Sequence, residues 1–169
     1  DTSVAGNGVF IMGFVPGQSV ERVVKYSRSK GHQRFAALVP KNVYGDRSTA
    51  AFRAAVQASG GTLVAVESYD RSAAALTGAA RRLANAGEID AVLIADSGGN
   101  AIRAVPLVKS SGPRQILGTE LWNTDGNLGG SPVMRGSWFA SVSDGLYGQL
   151  GNKYRERFGK TPYRLGSLG

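Results

Sequence analysis

Tyr44, Asp96, Ser97, Glu120 and Trp122 are the residues of this sequence best suited to grip a small polar molecule. Tyr44 offers a ring face and one hydroxyl, fit for packing on an aliphatic or aromatic group while making a hydrogen bond. Glu120 is an anion that can meet an ammonium group, and Asp96 and Ser97 supply further hydrogen-bonding groups. Trp122 can serve as an apolar wall or as a cation–π partner. Taken singly, each has a plainer use: the two aromatics can cover loops, and the two carboxylates can cap helices or face water. Their shared position favours a common role. Four short apolar runs, Phe35–Val39, Leu63–Val66, Ala91–Ala95 and Gln115–Leu117, recur roughly every 25 to 30 residues, the length of a strand–helix unit. Three of these runs hand over to the residues above. In an open parallel sheet the carboxyl ends of the strands share one edge, and ligands bind there.

The elements that must position these residues follow from periodicity and punctuation. Val9–Phe14 reads as a strand closed by Pro16-Gly17, and Ser19 as the cap of a helix with Val20, Val23, Val24 and Ser27 on one face. Strands are expected at Arg34–Val39, Thr62–Ser68, Asp90–Ala95, Gln115–Gly118 and Arg135–Ser141. Helices are expected at Gly45–Ser59, Ala73–Ala86, Asn100–Ser111 and Asp144–Phe158, with Pro106 implying a kink or a late start in the third. The last helix aligns Tyr147, Leu150, Tyr154 and Phe158. Gly31, Gly60, Gly87, Gly112 and Gly159 each stand where a helix should stop. The alternation specifies an α/β fold, a doubly wound parallel sheet with helices on both faces.

With 169 residues, 42% of them hydrophobic, the chain can bury one sizeable core. No apolar run approaches the roughly 20 residues of a membrane span. Cysteine is absent, which excludes disulfides, thiolate metal sites and cysteine nucleophiles. The net charge of +8 is spread along the chain and accompanies no nucleic-acid-binding module, so it reads as a basic solvated surface. The chain opens at Asp1 and stops at Gly169, and it reads as a mature or excised fragment.

Other chemistries find little support. No phosphate-binding loop of the G-x-x-x-x-G-K-[ST] or G-x-G-x-x-G type follows a strand, and no nucleotide cofactor is expected. A phosphoacceptor site at Asp96 would need further carboxylates beside it, but the first of the recurring strands ends at Pro40-Lys41. His32, the single histidine, precedes a strand at the opposite edge and reads as a surface turn residue. Asp96 and Glu120 could form a catalytic carboxylate pair, although nothing in the sequence sets their separation. No metal, cofactor or catalytic residue is expected, and the chain reads as a binding protein and not an enzyme.

The segments Arg34–Pro40, Asn42-Val43-Tyr44-Gly45, Gly60–Val64, Ile89–Ile94, Leu117-Gly118-Thr119 and Tyr154–Pro162 resemble type I periplasmic binding proteins of the leucine/isoleucine/valine-binding class. Val9–Phe14, Gly118–Trp122, Gly136–Ala140 and Arg164–Leu168 are similar to the branch described as penicillin-binding protein activators. The resemblance implies two lobes joined by crossovers, with a small polar ligand such as an amino acid or a cell-wall fragment held between them. Residues 1–17 would then be a strand of the partner lobe and a crossover. Residues 18–136 would be the ligand-binding lobe, and 137–169 a crossover and helix of the partner lobe, most of which is missing. It further implies that Tyr44, Asp96 or Ser97, and Glu120 contact ligand, Glu120 through an ammonium group. A transport permease is the implied partner or, for the activator branch, a peptidoglycan synthase. The implied setting is the periplasm, with a lipid anchor compatible with a longer chain.

Overall fold

Both faces of a central strand in this chain are apolar, so the sheet must be covered on both sides. The computed structural model describes residues 16–126, 128–141, 144–160 and 162. Its contacts divide the chain into two compact units, Pro16–Ser141 and a second made of Asp1–Val15 with Val142–Gly169. In the larger unit the order is α1 (Pro16–Ser29), β1 (Arg34–Pro40), α2 (Val43–Ala58), β2 (Thr62–Tyr69), α3 (Ala73–Ala84), β3 (Ala91–Ile94), α4 (Gly98–Val108), β4 (Gln115–Gly118) and β5 (Trp138–Phe139). The second unit contains α5 (Asp144–Phe158).

The strands form one five-stranded sheet in the order β2-β1-β3-β4-β5, and every pairing is parallel. The chain runs outward from β1 to β2, then returns past β1 to continue through β3 and β4. Right-handed crossovers made in opposite directions put their helices on opposite faces. Accordingly α1 and α2 pack on Phe35, Ala37, Val39, Leu93 and Leu117, whereas α3 and α4 pack on Ala36, Leu38, Val92, Ile94 and Ile116. The direction reverses between β1 and β3, which makes the carboxyl ends of those strands the topological switch point. The doubly wound α/β architecture expected from the sequence is the one observed.

Gly31, Gly60, Gly87, Gly112 and Gly159 all have positive φ at the ends of their helices, as their positions predict. Three elements differ instructively. Helix α1 begins at Pro16, because a proline at the first helical position forfeits an N–H that has no partner there. Ser19 is consequently inside the first turn and is not the cap. Helix α4 begins at Gly98, with Ser97 as its cap, and runs through Pro106, whose exposed position lets water replace the missing N–H. The expected strand Arg135–Ser141 shrinks to Trp138–Phe139, since Ser137 N–H bonds back to the Met134 carbonyl at 3.0 Å and Gly136 turns at φ 77°. In α5, which matches its expected span, Tyr154 and Phe158 are 37% and 55% exposed and pair their rings at 4.6 Å. The expected Val9–Phe14 strand lies outside the described residues.

At the amino edge of the sheet, Asp90 joins the starts of β1 and β3. Its carboxylate accepts from the Gln33 and Arg34 backbone N–H groups, both at 2.8 Å, and from the Arg34 guanidinium at 2.7 and 3.2 Å. The Arg34 side chain is the largest influence and holds the Asp90 carboxyl far below the usual carboxylate range. A depressed native value means the folded state binds the proton less readily than the unfolded chain. Its stabilisation is therefore present above the unfolded value of about 3.9 and fades as pH falls through the native one. Asp90→Asn is expected to lower the melting temperature at neutral pH and to flatten its acid limb below about pH 4. An acid limb identical to that of the parent chain would contradict this.

Candidate functional site

Asn42 caps α2 by accepting from Gly45 N–H at 2.8 Å, which sets Tyr44 in the first helical turn above the carboxyl edge. There the Tyr44 hydroxyl lies 2.8 Å from Thr119 Oγ1 and 2.9 Å from Glu120 Oε1. A phenol has one proton. It donates this to the carboxylate and accepts the Thr119 hydroxyl in turn. Ser19, from the first turn of α1, reaches the other carboxylate oxygen, Oε2, with the Pro16 carbonyl at 3.0 Å as a competing acceptor. Burial raises the Tyr44 hydroxyl well above its ordinary value, the Thr119 hydroxyl pulls it back, and the negative charge of Glu120 raises it further. Tyr44 is thus a neutral donor at physiological pH. Glu120 is only 5% exposed, and among the described residues it forms no ion pair.

A second polar group occupies the same edge one strand away. Tyr69, the last residue of β2, donates its hydroxyl to Asp96 Oδ2, which also accepts from Asn100 Nδ2 at 3.1 Å. Asp96 Oδ1 accepts from the Ser97 backbone N–H at 2.6 Å. Burial is the main cause raising the Tyr69 hydroxyl, and its bond to Asp96 and that carboxylate's charge add to it. Asp96 is held firmly at the start of α4, while Ser97 is exposed and its cap bond to Asn100 N–H is long, at 3.5 Å.

Trp122 is not the open wall that its residue type suggested. It is 1% exposed, its indole N–H donates to the Asp96 carbonyl at 3.0 Å, and its ring lies over Gly118. A Cβ on Gly118 would meet the ring at 2.3 Å, so glycine at the end of β4 is a condition of this packing. The fold therefore joins Tyr44 to Glu120 and, separately, Asp96 to Ser97 and Trp122. It also recruits three residues that sequence reasoning missed. Thr119 was legible as the neighbour of Glu120, and Tyr69 as the residue one past an expected strand end. Ser19 was visible only as a helix cap. His32 sits before β1 with Nδ1 3.0 Å from the Ser27 hydroxyl, in the turn expected of it. No group of three or more His, Cys, Asp or Glu side chains fit to hold a metal occurs among the described residues.

The carboxyl edge of this parallel sheet is lined by hydroxyls and carboxylates at a topological switch point, the place where open α/β sheets bind ligands. The family profile described as "Periplasmic binding protein" matches residues 1–166, and the chain belongs to that family. The match does not single out the activator branch. A search among curated proteins finds no match. Among solved structures, the chain is similar to a branched chain amino acid ABC transporter periplasmic ligand-binding protein from Burkholderia xenovorans LB400. The TM-score is 0.71 at 20% identity, over 92% of this chain and 44% of that one. A substrate-binding periplasmic protein from Ralstonia solanacearum gives a TM-score of 0.72 at 18% identity, over 90% and 46%. A solute binding protein of an ABC transporter from Rhodopseudomonas palustris BisB5, solved with 3,4-dihydroxy benzoic acid, gives 0.66 at 20%, over 89% and 44%. At these identities the likeness concerns the fold, and the chain spans less than half the length of each.

Proposed function

We propose that this chain carries one lobe of a periplasmic solute-binding protein and that its ligand is a small polar molecule bearing a cationic group, such as an amino acid. In this reading Pro16–Ser141 is the ligand-binding lobe, and the second unit holds parts of the partner lobe and its crossovers. Ligand is captured between the lobes, which close about a hinge, and is delivered to a transport permease. The protein binds without catalysis.

One observation carries the choice of ligand. Glu120 is a buried carboxylate held by two neutral hydroxyls, with no cation paired to it among the described residues. A buried charge without a partner is costly, and a ligand ammonium arriving at that edge would offset the cost. The same charge disfavours an aromatic acid, whose carboxylate would meet a like charge. Tyr44 would pack on the ligand beside its bond to Glu120, and the exposed Ser97 would hydrogen-bond to it. Asp96 would act mainly by fixing the start of α4, since it accepts three hydrogen bonds there, whereas Glu120 accepts two and keeps lone pairs for a ligand. That engagement also argues against Asp96 as a general base.

Calorimetry with L-leucine is the direct test, on the full chain and its Glu120→Gln variant. The amide keeps the size and the hydrogen-bonding reach of the side chain and removes the charge. Leucine affinity is expected to fall at least about tenfold, the loss of one charge-assisted contact. An affinity that Glu120→Gln leaves unchanged would sink the proposal.

A further inference from the structure

The segment that follows β4 encloses a cavity of about 400 Å³ on the side of the sheet opposite the Tyr44–Glu120 pair. Trp122, Leu128 and Met134 of its wall belong to the core under α3 and α4, whereas Tyr44 packs with the core under α1 and α2. Apart from Trp122, none of the residues assigned above to ligand lines this cavity. Its volume lies within the roughly 300–1,000 Å³ of small-molecule sites.

The chemistry of the wall is specific. Trp122 and Phe139 bring their rings to 6.1 Å at an angle of 52°, and Phe139 is 40% exposed, leaving aromatic surface for a third ring. Arg135 lines the cavity, is exposed, and forms no ion pair with any described residue. Ser137 also lines it, with its hydroxyl buried and without a hydrogen-bond partner among the described residues. The carboxylate of Asp125, another wall residue, is pressed against Gly98, where a Cβ would come within 2.6 Å of Oδ2. That contact places its charge at the start of α4, where the helix dipole favours it, and Arg135 supplies the positive charge of the wall.

We infer that this cavity is a second binding site, independent of Glu120, for a small aromatic carboxylate. The ring would pack on the exposed face of Phe139, and the carboxylate would pair with Arg135. Arginine suits this task because its planar fork meets both oxygens of a carboxylate.

Benzoate is the probe, titrated into the full chain and followed by the NMR signal of the Trp122 indole N–H. Trp138→Phe identifies that signal, because the chain has two tryptophans. Benzoate is expected to shift the signal saturably, with half-saturation at about millimolar concentration. Benzamide, the uncharged counterpart, is expected to bind at least about tenfold more weakly. Arg135→Ala should weaken benzoate by a similar factor, and Arg135→Lys should do so less. Glu120→Gln should leave benzoate binding unchanged. The proposal is overturned if no saturable shift occurs, if benzamide matches benzoate, or if Arg135→Ala has no effect. It is overturned equally if Glu120→Gln alters benzoate binding, since that assigns benzoate to the other site. The leucine experiment is decided separately, because it depends on Glu120 and not on Arg135.

Discussion

Gly45→Ala is expected to destabilise the lobe by about 3 kcal/mol or more and to abolish leucine binding with it. A Cβ at position 45 would lie 1.8 Å from the Pro40 carbonyl oxygen and 2.9 Å from its carbon. Both atoms belong to the backbone at the end of β1, so no side chain can rotate away to make room. Relief requires the first turn of α2 to lift. That turn is held by Asn42, which accepts from Gly45 N–H, and by the Asp46 N–H bond to the Asn42 carbonyl at 2.9 Å. Losing such a cap costs about a further 1 kcal/mol. Lifting the turn also carries Tyr44 away from Thr119 and Glu120, so the site loses geometry along with stability. The melting temperature should fall by roughly 6 to 12 °C, at about 2 to 4 °C per kcal/mol for a chain of this size. Gly99→Ala is the control. Nothing lies within 4 Å of a Cβ there, and alanine is the better helix former. If the two variants melt alike, the close approach at Pro40 is not the constraint argued here.

Arg114→Met is the second large effect, about 3 kcal/mol, and it acts far from the site. Arg114 is 8% exposed and has no carboxylate partner among the described residues. Its guanidinium instead donates to the carbonyls of Val108 at 2.8 Å, Ala84 at 2.8 Å and Gly87 at 3.4 Å. Ala84 ends α3 and Val108 ends α4, so one buried cation satisfies the carboxyl termini of both helices on that face of the sheet. Burial pulls the guanidinium below its ordinary value, the direction expected of a cation held by dipoles alone. Methionine keeps the volume and removes every donor. Arg114→Lys should recover only part of the loss, because a single ammonium cannot span carbonyls that a planar fork reaches together. Urea unfolding measures all three proteins. A loss below about 1 kcal/mol for Arg114→Met would show that water replaces the guanidinium at little cost.

The fold was legible because burial on both faces leaves a plain signature. Central strands such as Phe35–Val39 and Ala91–Ile94 read as unbroken apolar runs, and each glycine stop sits where a helix needs a positive φ. β5 was overestimated because the segment flanking Trp138 and Phe139 leaves the ladder on both sides. Gly136 and the turn back to Met134 interrupt the ladder, and local composition does not report that. Arg114 was equally hidden. Its neighbours in sequence say nothing of the two helix ends it reaches, which lie 30 and 6 positions away.

The site divides along the same line. Tyr44, Asp96, Ser97 and Glu120 could be assigned to one edge from sequence alone, because a parallel sheet carries every strand's carboxyl end to the same side. Which of them touch is a matter of a few ångströms, and hydrogen bonds weaken beyond about 3.2 Å. Strand register and the seating of helices set that distance. They bring Tyr44 onto Glu120, turn Ser19 from a cap into a partner of that carboxylate, and bury Trp122 against Gly118. Sequence by itself determined the architecture and the polarity of the edge, both of which follow from periodicity. Only the tertiary structure decided which carboxylate is left buried without a cation among the described residues, because that depends on contacts between residues as distant as Ser19 and Glu120.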